Sequence, residues 1–171
     1  MMSILKNFYS ETVKKIILIF ITTIAFAQNS KTQIANVLDN WHLAAANAKL
    51  EAYMSAMTDD AIYIGTDATE NWTKTQFMAF AKPYFDKGKA WSFTALERHI
   101  FIGKDKKTAW FDELLNTQMK ICRGSGVLIK TNKGWKIQHY VLSVTVPNDN
   151  MNEVIKIKTV AEEVLIKKLK L

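Results

Sequence analysis

The chain has 171 residues, a formal net charge of +7 at pH 7 and one cysteine, Cys122, so it has the length of a single domain and cannot form an intramolecular disulfide. Its two arginines after residue 27 are Arg98 and Arg123, too few for the clustered arginines and aromatics of a nucleic-acid surface, so no nucleic-acid partner is expected. The histidines and the cysteine lack the spacing of a metal site, and no glycine-rich nucleotide motif is present, so neither a metal nor another cofactor is expected.

The N-terminus has the pattern of a cleavable secretory signal peptide. A basic segment over 1–15 precedes an apolar run over 16–27 that ends in an A-x-A site, whose small residues suit a signal peptidase. The apolar run is shorter than the ~20 residues that span a bilayer, which argues against a stable membrane anchor. We therefore predict a signal peptide over 1–27, cleavage between Ala27 and Gln28, and a periplasmic or secreted protein.

Helical periodicity follows the predicted cleavage site. Residues 31–57 carry apolar side chains at three- and four-residue spacing, with a break expected near Asn47, and His42 lies on the apolar face. A turn over 58–60 and a short strand over 61–65 are expected next. The helix therefore leads directly into the first strand of a sheet.

A second helix has a clear start signal. The segment Thr73-Lys-Thr-Gln76 matches a capping box, in which the two side chains satisfy free amides at a helix N-terminus. The helix is predicted from Lys74 to about Lys87 and ends before Gly88. Pro83 lies too deep for the first turn and should bend or split the helix.

From Trp91 onward the apolar pattern changes its period from 3.6 to two, which predicts strands. The expected elements are strands over 91–104, 107–117, 120–131 and 135–146 and a Lys-rich helix from about 150 to 171. Short connections make an antiparallel meander the simplest topology. We assign 28–149 to one domain, and the C-terminal helix over 150–171 is either part of that domain or a solvated tail.

Turn chemistry predicts how these strands pair. A two-residue turn at Asp105-Lys106 places Arg98 opposite Glu113. Between the second and third strands no turn chemistry is clear, but a centre near Gln118, which agrees with the apolar positions of both strands, places Glu113 opposite Arg123. A three-residue loop over 132–134 gives the pairs Val127–His139, Ile129–Ile137 and Arg123–Ser143.

This register gives one apolar sheet face an ionic row. The row contains Arg98, Glu113, Arg123 and Ser143, with His139 nearby. Side chains alternate along a strand, so a slip of one residue would bring a different set to that face. That alternative set is Glu97, His99, Asp112 and Tyr140.

Several segments carry a family resemblance. They are Trp41-His42, Gly65–Trp72, Thr108–Leu114, Cys122–Leu128 and Gly134–Ser143. Together they resemble the bacterial, exported SnoaL-like branch of the NTF2-like superfamily over roughly 34–150. The resemblance implies an α+β cone, in which N-terminal helices pack on the concave face of a curved, mainly antiparallel sheet, with a C-terminal helix. It also implies a pocket between the layers and frequent homodimers formed through the sheet.

The resemblance leaves the reaction open, because this fold serves isomerases, dehydratases, hydrolases and cyclases as well as proteins that only bind or assemble. In such a cone Glu113 would lie between Arg98 and Arg123, a site suited to an anionic oxygen. His42 and His139 are candidate proton carriers, because histidine changes its protonation state near neutrality. The candidate ligand-binding residues are Asp67, Glu70, Trp72, Trp91, Arg98, Glu113, Arg123 and Ser143.

Each of these residues also has a structural interpretation. The ionic row could be a salt-bridge network, and His42 a core histidine bonded to a backbone carbonyl. Asp67 and Glu70 could cap a loop and the following helix. The tryptophans Trp41, Trp110 and Trp135 are expected to be packing residues.

Two functions remain open on the sequence alone. The first is binding of a small organic molecule in the cone pocket. The second is cofactor-independent proton transfer in the same pocket, by an isomerase, dehydratase or hydrolase. Two flanking arginines would keep Glu113 ionised, which argues against it as the general base and favours binding or a histidine base.

Overall fold

Helices at the N-terminal side lead into a six-stranded sheet. The computed structural model describes residues 29–170, beginning with helix α1 over 29–46. Helix α2 follows over Leu50–Ser55. Between them Ala48 has a φ of 52°, a left-handed conformation that cannot continue a right-handed helix. The break predicted near Asn47 is confirmed, whereas the predicted signal peptide lies outside the described residues.

The first strand is longer than predicted. Strand β1 spans Met57–Ile64 and pairs in parallel with the last strand of the sheet, with an irregularity between Met57 and Ile62. The turn predicted over 58–60 is therefore wrong. These polar residues continue the strand because the pairing already begins at its first residue, where Met57 is the partner of Ile137.

Helix α3 begins as the capping box predicts. A short strand β2, Asn71–Thr73, pairs antiparallel with β1, and α3 spans Lys74–Asp86. The Thr73 backbone amide donates to Gln76 Oε1 over 3.0 Å, and the Gln76 amide donates to Thr73 Oγ1 over 3.4 Å. The helix contains Pro83 without being split there.

The second half of the chain is the predicted meander. Its elements are β3 (Thr94–Ile102), β4 (Thr108–Thr117), β5 (Lys120–Thr131) and β6 (Gly134–Val144), a 3₁₀ turn (Asn148–Asn150) and α4 (Met151–Leu169). The strand order in the sheet is β2-β1-β6-β5-β4-β3. The predicted α+β architecture is confirmed, with one parallel pair, β1–β6, in an otherwise antiparallel sheet.

From Glu97 to Ile102 the register of β3 with β4 is as predicted, although the connection spans 103–107 and is not the predicted two-residue turn. The predicted register of β4 with β5 is wrong. Arg98 lies opposite Glu113. Gln118 and Met119 form a two-residue turn, so the pairing of β4 and β5 moves by one residue and Glu113 lies opposite Gly124. Because side chains alternate, this slip turns every side chain of β5 to the other face.

The pairing of β5 with β6 contains a bulge, which moves the register at Gln138. On the loop side Leu128 pairs with Ile137, so the predicted Ile129–Ile137 pair is wrong. Beyond the bulge the predicted pairs Val127–His139 and Arg123–Ser143 are confirmed. The extra residue places Ile137, rather than Gln138, on the concave face. The fully buried Tyr140 lies on the concave face and His139 on the convex face because of the shifted pairing of β4 with β5.

The core lies between α1, α2, α3 and the concave face of the sheet. Trp41 of α1 stacks on Tyr53 of α2 with centroids 4.8 Å apart, and its ring meets Tyr140 edge-on at 4.7 Å. Tyr63 of β1 stacks on Phe77 of α3 at 3.7 Å. These rings bury large apolar areas, which is the main favourable contribution to folding.

The C-terminal helix contributes nothing to this core, since no α4 side chain is buried. The apolar side chains of Ile157, Val160 and Val164 are all strongly exposed. Over 29–170, no helix combines the length and the apolar character that crossing a membrane would require.

Candidate functional site

A buried carboxylate lies at the centre of the concave face. Glu113 of β4 is 1% exposed. Its Oε1 lies 2.8 Å from Nε2 of His42, and its Oε2 accepts a hydrogen bond from Nε of Arg98 over 2.8 Å. Both carboxylate oxygens are therefore paired, which offsets the cost of removing the charge from water.

Arg98 extends this network to helix α1. Its Nη1 donates to Oδ1 of Asp39 over 2.7 Å and to the backbone oxygen of Ala35 over 3.3 Å. Burial lowers the pKa of Arg98, but the carboxylates of Glu113 and Asp39 outweigh it and raise that pKa above its ordinary value. We call His42, Glu113, Arg98 and Asp39 the ionic network; it fastens α1 to the sheet.

The space beside Glu113 depends on a glycine. A Cβ atom at Gly124 would lie 2.5 Å from the Tyr140 hydroxyl oxygen and 3.1 Å from Cγ of Glu113. That hydroxyl is buried and has no hydrogen-bond partner among the described residues. Burial, and then the charges of Tyr63 and Glu113, raise the pKa of Tyr140 well above its ordinary value.

A separate cleft opens between helix α3 and the sheet. Its volume is about 150 Å³. It is lined by aromatic side chains from β1, β2, α3 and the segment before β3, which are Tyr63, Trp72, Phe77, Phe80, Trp91 and Phe93. We call it the aromatic cleft. Apolar clefts with few polar groups are the usual form of small-molecule sites.

Glu70 is the charged residue among those that line the aromatic cleft. Its Oε2 accepts a hydrogen bond from the Asp67 amide over 3.1 Å. A Cβ atom at Gly65 would collide with the Glu70 carboxylate, so the glycine lets this carboxylate lie against the backbone. Burial, followed by the charge of Glu70, raises the pKa of Tyr63.

Phe93 lies between the ionic network and the aromatic cleft. It lines the cleft, and its ring centroid is 5.8 Å from that of His42. His42 lines a neighbouring, more open hollow together with Asp39 and Ser92. Phe93 therefore borders both the aromatic cleft and the hollow beside the ionic network.

The predicted site residues divide into three groups. His42, Arg98 and Glu113 meet in the ionic network. Glu70, Trp72 and Trp91 line the aromatic cleft. Asp67, His139, Arg123 and Ser143 lie outside both.

The residues of the third group have identifiable positions. Asp67 is exposed and caps its own loop, with Oδ1 accepting from the amide and hydroxyl of Thr69. Arg123, Ser143 and His139 lie on the convex face because the one-residue shift at the Gln118-Met119 turn reverses β5, with which Ser143 and His139 pair as predicted. The predicted ionic row therefore keeps Arg98 and Glu113 and loses Arg123 and Ser143.

Other expectations are corrected by the contacts. His42 is buried as a core histidine would be, but its partner is Glu113 rather than a backbone carbonyl. Trp41 and Trp135 are buried packing residues, whereas Trp110 is 48% exposed on the convex face. Glu70 both caps the loop and lines the cleft.

Sequence reasoning missed several residues of the two sites. In the aromatic cleft these are Tyr63, Phe77, Phe80 and Phe93, and in the ionic network Asp39. Aromatic residues of a cleft have the same spacing as core residues, so periodicity does not separate them. Asp39 could have been found as a charge one turn before the apolar-face residue His42.

Within the described part of the chain, no group of three or more histidine, cysteine or acidic side chains is arranged to hold a metal ion. The sole cysteine, Cys122, is buried as a free thiol on the concave face.

The architecture is that of the NTF2-like class, a curved sheet with helices over its concave face. The chain matches the SnoaL-like domain over residues 34–147 and belongs to the SnoaL-like domain family. No curated protein matches it significantly.

Solved structures with this fold are distant in sequence. An NTF2-like protein of unknown function from Pseudomonas putida has 11% identity and a TM-score of 0.61 over 72% of this chain and 92% of its own. A candidate dehydratase of the NTF2-like family from Streptomyces avermitilis has 13% identity and a TM-score of 0.60 over 71% and 99%. A cystatin-like-fold domain from Nostoc punctiforme has 15% identity and a TM-score of 0.61 over 83% and 97%. At these identities the likeness concerns the fold alone.

Proposed function

We propose that this protein is an exported domain that binds a small organic molecule in the aromatic cleft. The observation that carries the proposal is the lining itself, six aromatic side chains with one carboxylate. Ligand sites combine an apolar surface, which supplies affinity, with a few polar groups, which fix orientation.

The size of the cleft limits its occupant. A cavity of about 150 Å³ is large enough for one benzene-sized group. Trp72 and Phe80 are partly exposed, so the remainder of a larger ligand can extend into solvent. We therefore expect ligands that insert one small group.

A blocking variant tests the binding function. Met119 lines the cleft, whereas Met78 is exposed on α3 outside it. Fragments of about six to ten heavy atoms, a size set by the cleft, are screened by ligand-observed NMR. The expected result is binding to the wild type and to Met78→Trp, and loss of binding to Met119→Trp. No binding to the wild type, or equal binding to both variants, would contradict the proposal.

Proton transfer is a second candidate function, and the His42–Glu113 contact favours it. A carboxylate 2.8 Å from a histidine nitrogen orients the ring as the partner of a general base does. The histidine borders a solvent-accessible hollow. An isomerase, dehydratase or hydrolase reaction would require His42, so His42→Asn should abolish turnover of any substrate found and leave its binding intact. Turnover that survives this change would exclude the function.

We extend the proposal to location and assembly. The predicted signal peptide supports export, which N-terminal sequencing of the protein from its own envelope tests: a chain that begins at Gln28 is expected, and one that begins at Met1 contradicts it.

Homodimerisation through the convex face is supported by Phe101 and Trp110, which stack at 5.8 Å and are 44% and 48% exposed. Sedimentation should give a dimer for the wild type and a monomer for Trp110→Glu.

A further inference from the structure

The aromatic cleft carries a negative side chain and no positive one among the described residues that line it. Of the described residues that line it, Glu70 is charged, and none is a lysine, arginine or histidine. No basic side chain within 29–170 makes an ion pair with Glu70. This differs from Glu113, both of whose oxygens have partners in the ionic network.

The rings that line the cleft with Glu70 lie in nearly parallel planes. Trp72 stacks on Phe80 with centroids 4.6 Å apart and an interplanar angle of 24°. Tyr63 stacks on Phe77 at 3.7 Å and 11°, and Trp72 lies at 27° to Tyr63. In a stacked pair each ring has one face covered by its partner, and the face that stays uncovered carries negative potential, which attracts cations. The carboxylate adds to the potential of the rings.

Position 65 holds the carboxylate in this arrangement. Gly65 leaves the space that the Glu70 carboxylate occupies, and the Asp67 amide fixes one of its oxygens over 3.1 Å. A half-buried carboxylate beside apolar rings is stabilised when a cation neutralises it. The cleft therefore combines a fixed negative charge with aromatic walls.

We propose that the aromatic cleft binds a methylated ammonium group, with Glu70 as its counter-ion and Trp72 and Phe80 among its aromatic contacts. This inference rests on the proposed binding function and adds the chemical class of the ligand. The binding is non-covalent and consumes no co-reactant.

The small number of hydrogen-bond acceptors in the cleft favours a methylated ammonium group over a primary one. A primary ammonium carries three donors, which all require acceptors when it leaves water. The cleft is lined mainly by rings; apart from the hydroxyl of Tyr63 and the indole nitrogens of its tryptophans, its polar side chains are Glu70, Thr66 and Gln118. A quaternary ammonium has no N–H donor and contacts rings through its methyl groups. Its trimethylammonium head is comparable in volume to the benzene-sized group that the cleft admits.

The test compares two ligands of the same shape on the unaltered protein. One is choline, and the other is its neutral carbon isostere, in which a tert-butyl group replaces the trimethylammonium group. Affinities are measured at constant ionic strength by the fluorescence of the tryptophans and by calorimetry. Choline is expected to bind about tenfold more tightly than the isostere, because a partly exposed cation–π contact is reinforced by the Glu70 carboxylate.

Glu70→Gln then tests the counter-ion. A glutamine oxygen can still accept from the Asp67 amide, so the loop is expected to keep its conformation. The preference for choline should fall severalfold in this variant and remain in the control Glu97→Gln, which alters a carboxylate on the convex face. An unchanged preference in Glu70→Gln would overturn the assignment of Glu70.

The comparison of ligands separates this inference from the proposed function. Equal affinities for choline and its isostere, or binding of neutral fragments without binding of choline, overturn the ammonium site and leave the binding function standing. If neither choline nor any fragment binds the wild type, both proposals fail. The two-ligand comparison needs no variant, so it remains decisive even if Glu70→Gln fails to fold.

Discussion

Glu113 of β4 and Gly124 of β5 lie directly opposite each other, and the missing side chain at Gly124 makes room for the Glu113 carboxylate and the Tyr140 hydroxyl. The pair shows how the concave face accommodates a buried charge: one strand supplies the carboxylate and its neighbour supplies space. A glycine inside a strand is otherwise unfavourable, which marks a close approach of this kind.

Gly124→Ala should therefore destabilise the fold. The new methyl group would meet the Tyr140 hydroxyl and Glu113, neither of which can move into solvent. We expect the free energy of unfolding, measured by urea denaturation, to fall by about 1–3 kcal/mol. Ser125→Ala, on the other face of the same strand, is the control and should have little effect. An unchanged value for Gly124→Ala would contradict the packing described.

The charge of Glu113 should matter more than its shape. Glu113→Gln keeps the size of the side chain but leaves Arg98 and His42 without a carboxylate on the sheet side. Loss of one member of a buried ion pair costs about 3–5 kcal/mol, and the lower end is expected because Asp39 still pairs with Arg98. Glu97→Gln, on an exposed carboxylate of the neighbouring strand, should leave the midpoint of denaturation nearly unchanged. Equal stabilities for the two variants would contradict the role of the network.

Phe77 and Phe80 lie on the same helix, α3, and both line the aromatic cleft, so their alanine variants can be compared directly. Phe77 is 1% exposed and stacks on Tyr63, whereas Phe80 is 39% exposed at the cleft. Phe77→Ala should lower the free energy of unfolding by about 3–5 kcal/mol, because it leaves a cavity in the core. Phe80→Ala should cost clearly less. A larger loss of stability for Phe80→Ala than for Phe77→Ala, in thermal or chemical denaturation, would contradict the position of α3.

His99 gives a test of the convex face by pH. Its Nδ1 lies 3.1 Å from Oδ1 of Asp112, and the hydrogen bond to Asp112 raises the pKa of His99 above its ordinary value of 6.5. The protonated form is favoured in the folded state, so its contribution to stability is present in full below 6.5 and disappears as the pH rises through the folded pKa. NMR titration should give a lower pKa for His99 in Asp112→Asn than in the wild type. Identical values in the two proteins would exclude this pairing.

The elements that local chemistry specifies were predictable from the sequence. The Thr73–Gln76 capping box placed the start of α3, and the change of period after Trp91 placed the meander. The register of β3 with β4 followed from a polar turn, so Arg98 and Glu113 were correctly paired. These features depend on residues that are close together in the chain.

Only the tertiary structure decided which face of the sheet a side chain occupies wherever the pairing of two strands is shifted by one residue. The Gln118-Met119 turn places Arg123 on the convex face, and His139 and Ser143 lie on that face with it because they pair with β5 as predicted. Strand side chains alternate with a period of two, so a shift of one residue reverses every assignment that follows it.

The sequence by itself therefore determined the helices, the four-stranded meander and the family, but neither the full length of β1 nor the short strand β2. Only the tertiary structure decided that His42, Asp39 and Arg98 surround Glu113, and that rings from separate elements form a cleft around Glu70. Both sites are assembled from segments far apart in the chain, and their aromatic members have the same pattern as a core. The physical difference between a core and a cleft is the space left after packing, which no local pattern encodes.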